Sequence, residues 1–265
     1  MTDETNRPRT DLPRSDQPHI DQPELRFSER GSIRLAYRRR EGRGPTLVFL
    51  PGYMSDMDGG KATALDAWAA EHGRPMLRLD YAGCGSSDGD FREQTLESWR
   101  DDAVHLIDEL TAGPLILVGS SMGGWLMLLV ALARKERVAG IVGIAAAPDF
   151  TGWGFSDEKR AVLARGETLE EPSDYSDEPY TTTAAFWRSG EANRLLGGEI
   201  ALECPVRLLH GQEDPDVPWD ISLALADALS SADVQTILIK DGDHRLSREE
   251  DIALLIRTVS ELAES

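Results

Sequence analysis

Residues 115–124 read Leu-Ile-Leu-Val-Gly-Ser-Ser-Met-Gly-Gly, an apolar strand pattern that runs into a Gly-x-Ser-x-Gly turn and then into an apolar helix. In this context the central serine, Ser121, lies on a strained strand-to-helix turn that allows only small residues at both flanking positions. The turn presents the hydroxyl at the helix N-terminus, where free N–H groups face developing negative charge. The pattern predicts Ser121 as a nucleophile. A tight turn without a catalytic role is the alternative, and Ser120 is the local rival.

Outward from this turn, short β-rich runs alternate with longer stretches whose apolar residues recur at helical spacing. This alternation is typical of an α/β protein with a mostly parallel central sheet flanked by helices. In a chain of 265 residues, one domain over residues 25–265 is the default prediction. The predicted strands are residues 32–38, 46–50, 76–79, 116–119, 138–145, 206–210 and 234–239, and the predicted helices are residues 61–72, 95–110, 121–135, 220–229 and 248–264.

Residues 151–203, called the insertion below, break this alternation because they carry aromatic residues and an acidic run but no clear strand. A connection of this length is rarely bare loop. We therefore predict a helical cap over the C-terminal edge of the sheet, where open α/β sheets bind ligands. Six apolar residues are candidates for the pocket lining, each of which could equally be ordinary core: Met54, Trp125, Trp153, Phe155, Phe186 and Trp187.

A serine hydroxyl needs a base that removes its proton and a third group that orients the base. Of five histidines, His244 lies in Asp-Gly-Asp-His, a polar loop that directly follows the last predicted strand. His210 ends a strand and is interpreted as a strand-terminal packing residue. The chain order serine, acid, histidine favours His244 as the base.

The acid should lie between the serine and the histidine in the chain. Residues 210–218 read His-Gly-Gln-Glu-Asp-Pro-Asp-Val-Pro, a loop with three carboxylates after a strand. Asp214 occupies the acid position of this pattern, and Glu213 and Asp216 are interpreted as solvated. Asp149 is a more distant rival, because some enzymes of this fold supply the acid from the strand that precedes it.

Two backbone N–H groups are expected to stabilise an oxyanion. One belongs to Met122, directly after the nucleophile, and the other to Tyr53, in the Leu-Pro-Gly-Tyr-Met turn after an early strand. Cys84 has no adjacent base in the sequence and is interpreted as an idle thiol.

A formal net charge of -19 makes nucleic acids and anionic lipid surfaces poor partners. No apolar run reaches the roughly 18 residues that a membrane helix needs, so we expect no stable membrane insertion. The two cysteines are typical of free thiols in a reducing compartment, which indicates a cytosolic location. Residues 1–24 mix acidic residues with prolines and are predicted to be a disordered tail rather than a targeting segment.

Taken together, these residues resemble the α/β-hydrolase superfamily from about residue 25 onward. Within it they are similar to the palmitoyl-protein thioesterase and acyl-glucuronide esterase branch, which is mitochondrial in animals. The strings that carry this likeness are Leu-Pro-Gly-Tyr-Met-Ser at residues 50–55, Val-Gly-Ser-Ser-Met-Gly-Gly-Trp-Leu at 118–126, Cys-Pro-Val-Arg-Leu-Leu-His-Gly at 204–211 and Asp-His-Arg at 243–245.

The resemblance implies serine acyl hydrolysis of thioesters and acyl esters, with Ser121, Asp214 and His244 in the family's catalytic positions. The substrate would be a small-molecule or protein-linked acyl ester or thioester. No metal or organic cofactor is expected. A peptidase, a carbon-carbon bond hydrolase or a perhydrolase could carry the same triad, and a binding protein of this fold without turnover is the alternative from another class.

Overall fold

The apolar runs form the strands of a central sheet in the computed structural model, which describes residues 22–173 and 179–264. Most of the predicted tail, residues 1–21, lies outside the described residues. The ten strands of the described chain are β1 (Leu25–Arg30), β2 (Ile33–Arg40), β3 (Thr46–Leu50), β4 (Met76–Leu79), β5 (Leu115–Ser120), β6 (Val138–Ile144), β7 (Leu169–Glu171), β8 (Tyr180–Thr182), β9 (Val206–Gly211) and β10 (Val234–Ile239).

Eight of these strands form one sheet in the order β1-β2-β4-β3-β5-β6-β9-β10. The six strands from β4 to β10 are parallel; β2 pairs antiparallel with β4, and β1, at the edge of the sheet, pairs antiparallel with β2. The sequence does not predict β1, because most of its side chains are exposed or half-buried and give no apolar run. β5 lies near the centre, where Val118 pairs with Phe49 of β3 and Val142 of β6.

The eight helices of the described chain are α1 (Gly60–Glu71), α2 (Leu96–Leu110), α3 (Met122–Ala133), α4 (Phe150–Trp153), α5 (Asp157–Ala164), α6 (Ala184–Ala192), α7 (Asp220–Ala228) and α8 (Glu249–Glu264). The five predicted helices correspond to α1, α2, α3, α7 and α8, with ends that differ by one or two residues. α2 begins at a capping box, because the side chains of Thr95 and Ser98 each accept a backbone N–H of the other residue.

The helices cover both faces of the sheet. Successive residues of a strand point to opposite faces, so Leu117 and Val118 of β5 belong to two different core clusters. The cluster on one face includes residues of α2, α3 and α7, and the cluster on the other includes residues of α1 and α8. Burial of β5 on both faces explains its unbroken apolar sequence.

The insertion differs from the prediction in one respect. It contains α5 and α6, as expected of a helical cap, but β7 and β8 also pair there as a small antiparallel sheet. The expectation that this segment has no strand is therefore wrong. Each of these strands has only three residues, which is too short to show an alternating pattern in the sequence. In the part of the chain that the structure describes, no helix is long and apolar enough to cross a membrane.

Candidate active site

The turn at Ser121 connects β5 to α3 in a strained conformation, with φ 55° and ψ −123° at the serine. The two glycine positions of the turn have no room for a side chain. A Cβ atom on Gly119 would lie 2.4 Å from the carbonyl oxygen of Gly123, and one on Gly123 would lie 2.1 Å from that of Leu50. The flanking glycines therefore allow three backbone segments to meet at the serine.

The loop after β10 brings His244 to this turn. Its Nε2 lies 3.1 Å from the Oγ atom of Ser121, which is 123 residues away in the chain, and its Nδ1 lies 2.8 Å from Oδ2 of Asp214. Ser120, the rival nucleophile, is the last residue of β5. The structure thus brings the predicted serine, base and acid together in one line of hydrogen bonds.

Asp214 lies in the loop after β9, and its carboxylate side chain is fully buried. Its Oδ1 accepts the backbone N–H groups of Asp216 and Val217 at 2.8 and 2.9 Å. Burial alone would raise the pKa of this carboxyl, but hydrogen bonds from His210 and His244 outweigh it and hold the pKa well below its usual range. The carboxylate is therefore ionised whenever a neighbouring imidazole gains a proton.

His210 also contacts the carboxylate of Asp214, although the sequence interpretation treats it only as a packing residue. Its ring is completely buried, and its Nε2 lies 3.3 Å from Oδ2 of Asp214 and 3.0 Å from the carbonyl oxygen of Val217. Its Nδ1 lies 2.6 Å from the hydroxyl of Ser222. With the proton on Nε2, His210 donates toward Asp214 and orients it. The spacing of four residues between His210 and Asp214 is the sequence signal that could have indicated this contact.

Asp149, the rival acid, has a different role. Its buried carboxylate accepts the backbone N–H groups of Leu195 and Leu196 at 2.7 and 2.8 Å. These two residues follow α6, so Asp149 attaches the C-terminal part of the insertion to the end of β6. Its backbone is in the left-handed conformation, with φ 60°.

The turn after β3 lies against the serine. A Cβ atom on Gly52 would be 3.3 Å from the carbonyl oxygen of Ser120 and 3.4 Å from the Cβ atom of Ser121. Groups after β4 hold this turn, since the Tyr81 hydroxyl donates to the carbonyl of Pro51 at 3.2 Å. Tyr53 and Met122, the residues predicted to supply oxyanion donors, both border the cavity described next.

A cavity of about 530 Å³ opens over Ser121 between the strand ends and the insertion. Three of the six candidate pocket residues line it, namely Met54, Trp153 and Phe155. The described lining does not include Trp125, Phe186 or Trp187, so their assignment to the pocket is wrong. Trp125 and Phe186 are buried in the core, and the indole N–H of Trp187 donates to the carbonyl of Thr151.

The Cys84 thiol and one cluster of metal-ligating atoms are two further reactive features of the described chain. Burial raises the pKa of the Cys84 thiol to about 12, and the nearby carboxylates of Asp80 and Asp102 act in the same direction. Within the described ranges, one cluster has metal-ligating atoms close together, formed by Asp214, Asp216 and His244. The Asp214 and His244 atoms of this cluster already bind each other and the loop backbone, so the arrangement fits an acid-base pair better than a metal centre.

This geometry agrees with a comparison of the sequence with known families. The Alpha/beta hydrolase family matches the chain over residues 47–257, which include the serine, the acid and the histidine. The chain belongs to this family. Its sheet order, elbow turn and loop positions are those of an α/β-hydrolase fold.

Three individual proteins of known sequence or structure are similar to most of this chain. The human "Palmitoyl-protein thioesterase ABHD10, mitochondrial" is 43% identical over 233 residues, which cover 86% of this chain and 76% of that protein. The structure of alpha/beta hydrolase domain-containing protein 10 from mouse has a TM-score of 0.85 and 41% identity, covering 91% of this chain and 98% of the mouse chain. A putative hydrolase from Agrobacterium vitis S4 has a TM-score of 0.85 and 39% identity, covering 92% and 98% of the two chains.

The names of these relatives correct one expectation. Five curated mammalian relatives, 42–44% identical to the chain, are named mitochondrial. This finding overturns the expectation of a cytosolic location. That expectation rested on Cys84 and Cys204, which are both free. Free thiols indicate a reducing environment but do not distinguish one reducing compartment from another.

Proposed function

We propose that this hydrolase cleaves acyl thioesters or carboxylic esters through an acyl-enzyme intermediate formed on Ser121. The observation that carries the proposal is the continuous hydrogen-bonded line from Ser121 Oγ through His244 to Asp214, at the floor of a cavity. The names of the mammalian relatives support a thioester substrate, and palmitoyl groups on proteins are the first acyl donors to test.

The proposed reaction begins when His244 Nε2 removes the proton of Ser121 as its oxygen attacks the acyl carbon. Asp214 keeps the imidazole in the tautomer with Nδ1 protonated and stabilises the imidazolium that forms. His244 then protonates the leaving thiol or alcohol. Water attacks the acyl-enzyme with the same histidine as base, which releases the carboxylic acid and restores Ser121.

The backbone N–H groups of Met122 and Tyr53 are proposed to hold the oxyanion. Met122 is the first residue of α3, whose initial N–H groups have no partner within the helix. The turn with Tyr53 lies against the serine at Gly52. Donors fixed by the backbone require no reorganisation during the reaction, and the loss of one donor costs about 10²–10³ in rate in other enzymes.

The acyl part of the substrate is proposed to contact Met54, Trp153 and Phe155, which give the cavity apolar surface. A cavity of about 530 Å³ is within the usual size range of small-molecule sites. A triad attacks oxygen esters and thioesters in the same way, so the choice between them depends on the cavity walls rather than on the triad.

Covalent labelling tests the nucleophile directly. Purified wild-type protein should react with a fluorophosphonate probe, and Ser121→Ala should not. Ser120→Ala is the matched control, because it removes the neighbouring hydroxyl and should still be labelled. Unlabelled wild-type protein would overturn the enzyme proposal in favour of a binding role, and labelling that survives Ser121→Ala would assign the nucleophile elsewhere.

A substrate panel tests the bond that is cleaved. The panel contains acyl thioesters and aryl esters of graded chain length, acyl glucuronides, peptides and a vinylogous diketone for carbon-carbon bond cleavage. We expect turnover of thioesters or esters that is lost in Ser121→Ala. Cleavage of only peptides or the diketone would contradict the proposal.

A further inference from the structure

One side chain joins two segments that lie far apart in the sequence and carry different parts of the proposed machinery. Lys61 is in the first turn of α1, which follows the Tyr53 turn. Its Nζ donates a hydrogen bond to the backbone carbonyl of Arg245, 184 residues further along the chain. Arg245 directly follows His244, so this bond connects α1 to the loop that carries the proposed base.

The backbone of the His244 loop is strained. Leu246 has φ 43°, a left-handed conformation that costs free energy for a branched, bulky residue. Such a conformation persists only where surrounding contacts hold it. Two side chains hold the peptide unit between Arg245 and Leu246: the Asp243 carboxylate accepts the N–H of Leu246 at 2.9 Å, and Lys61 donates to the carbonyl of Arg245.

The start of this loop packs against the end of β9. A Cβ atom on Gly242 would lie 2.9 Å from Gly211, so the loop backbone rests directly on the end of β9. The N–H of Glu213 donates to the carbonyl of Gly242 at 3.0 Å, which ties the acid loop to the histidine loop. The Gly242 end of the loop is thus held by β9, whereas the peptide unit after Arg245 is held by side chains, so loss of the Lys61 bond would let this unit shift and displace the adjacent His244.

The ammonium group of Lys61 is held at an electrostatic cost. Burial, and to a smaller extent the neighbouring Arg245 guanidinium, lower the pKa of this group, Asp243 and Asp251 act in the opposite direction, and the resulting pKa is about 8. Asp251 is itself paired with Arg248. An apolar side chain of the same length would avoid this cost, so packing alone does not explain a lysine here.

We propose that Lys61 is a positioning residue that holds the backbone at Arg245, and through it the imidazole of His244, in line with Ser121. This inference rests on the proposed function. Lys61 also lines the cavity, and its proposed role is to fix the distance across which His244 removes a proton rather than to exchange protons with the substrate. The direct consequence is that the bond from Lys61 affects the rate of the chemical step.

The first experiment compares Lys61→Met with Lys240→Met on a soluble aryl ester. Methionine retains the approximate length of the lysine side chain but cannot donate a hydrogen bond. Lys240 is an exposed lysine four positions before His244, so Lys240→Met removes the same charge near the site without removing the bond to Arg245. We expect kcat to fall about 10- to 100-fold in Lys61→Met and to stay within twofold in Lys240→Met, since small misplacements of catalytic groups have effects of this size.

The thermal midpoint separates positioning from folding. Loss of the bond and relief of the burial cost of the charge act in opposite directions on stability, so Lys61→Met should unfold at a temperature close to that of wild type, while its kcat falls. A lower thermal midpoint together with the lower kcat would assign Lys61 a structural role and overturn the inference. A kcat within twofold of wild type would also overturn it.

The dependence of kcat on pH, compared between wild type and Lys61→Arg, would not change if Lys61 had only a structural role. Above about pH 8 the neutral amine donates a weaker hydrogen bond, so kcat of the wild type should decline there. Arginine stays protonated up to a pKa above about 12, so Lys61→Arg should restore most of the rate and remove the alkaline decline. Identical profiles for wild type and Lys61→Arg would contradict the inference.

Failure of this inference can be told apart from failure of the proposed function. Fluorophosphonate labelling of Ser121 in every variant reports whether a nucleophile is present at all. Wild-type protein that is labelled and active, with unchanged kcat in Lys61→Met, would overturn the positioning role alone. Wild-type protein that is neither labelled nor active would overturn the proposed function, and the positioning role with it.

Discussion

Around Ser121 the backbones of several chain segments lie in direct contact, whereas the insertion contacts the same region mainly through aromatic side chains. At the elbow, Gly123 packs against the carbonyls of Leu50 and Pro51, and Gly124 packs against Ala146. On the side of the insertion, the Tyr53 ring packs against Phe150, Tyr180 and Phe186, with ring centroids 5.0–6.2 Å apart.

Under the proposed function, this difference assigns the chemistry to the elbow and the choice of substrate to the insertion. Backbone-to-backbone contact leaves no room for an added carbon and fixes the position of Ser121. Aromatic side chains can repack after a substitution, so the wall that they form can change while the fold is retained. We therefore expect substitutions at the elbow and the triad to remove activity, and substitutions in the insertion to change substrate preference.

The largest expected effect after loss of the nucleophile is that of Asp214→Asn. The amide can no longer hold His244 in the tautomer that accepts the serine proton, so kcat should fall about 10⁴-fold. Initial rates on a soluble aryl ester measure this change. Glu213→Gln, which neutralises the adjacent rival carboxylate, should leave the rate within threefold; equal losses in both variants would contradict the assignment of the acid.

The lowered pKa of Asp214 also predicts that the free energy of unfolding depends on pH. The pKa of Asp214 is lower in the folded state than its unfolded value of 3.8. The folded state therefore binds this proton less readily, and the stabilisation is present above about pH 4 and lost as the pH falls toward the folded pKa. Urea unfolding at pH 5 and pH 3 should show a smaller loss of unfolding free energy in Asp214→Asn than in wild type. A larger loss would contradict the sign.

The comparison between elbow and insertion is tested most directly by two Gly→Ala variants. In Gly123→Ala the new Cβ would lie 2.1 Å from the Leu50 carbonyl oxygen, whereas the Cβ of Gly198→Ala, in the insertion, would meet nothing within 4 Å. We expect about 2–4 kcal/mol of destabilisation and a large loss of kcat in Gly123→Ala. Gly198→Ala should stay within about 0.5 kcal/mol of wild type. Similar unfolding midpoints in urea would remove the distinction between the two regions.

Tyr53→Phe probes the boundary between the two regions. The Tyr53 hydroxyl donates to the carbonyl of Thr181 in β8, and burial raises the pKa of this phenol, so it remains a donor throughout the neutral range. Loss of the hydroxyl leaves that carbonyl without this bond and should cost about 1–2 kcal/mol of unfolding free energy. Tyr37→Phe, in β2, is the control. A loss of stability no greater than in this control would show that the bond contributes little.

The smallest expected effect is that of Phe155→Ala. This residue lines the cavity, so its removal should change the ratio of kcat/KM for long-chain and short-chain acyl esters by about tenfold or less. Phe27→Ala removes an exposed phenylalanine of β1 and should leave the ratio unchanged. A uniform loss on every chain length would indicate that Phe155 supports the reacting groups rather than the acyl chain.

The sequence predicts the elements of the fold well where their patterns are long. All seven predicted strands and all five predicted helices are found, because buried parallel strands and amphipathic helices have distinct apolar spacing. The strands that the sequence misses, β1 and the short pair β7 and β8, lack such spacing. The choice of lining residues fails for Trp125, Phe186 and Trp187, since an aromatic residue of the core and one of a cavity wall look alike in sequence.

What the sequence by itself determined is the local chemistry around Ser121. The glycine pattern specifies the turn because it lies in consecutive residues, and the chain order of serine, acid and histidine indicates the candidate partners because each lies in a short motif directly after a strand. Only the tertiary structure decided that His210 contacts Asp214 and that Lys61 binds the carbonyl of Arg245. Such contacts depend on how the ends of separate strands and helices meet in space, and no local pattern encodes that arrangement.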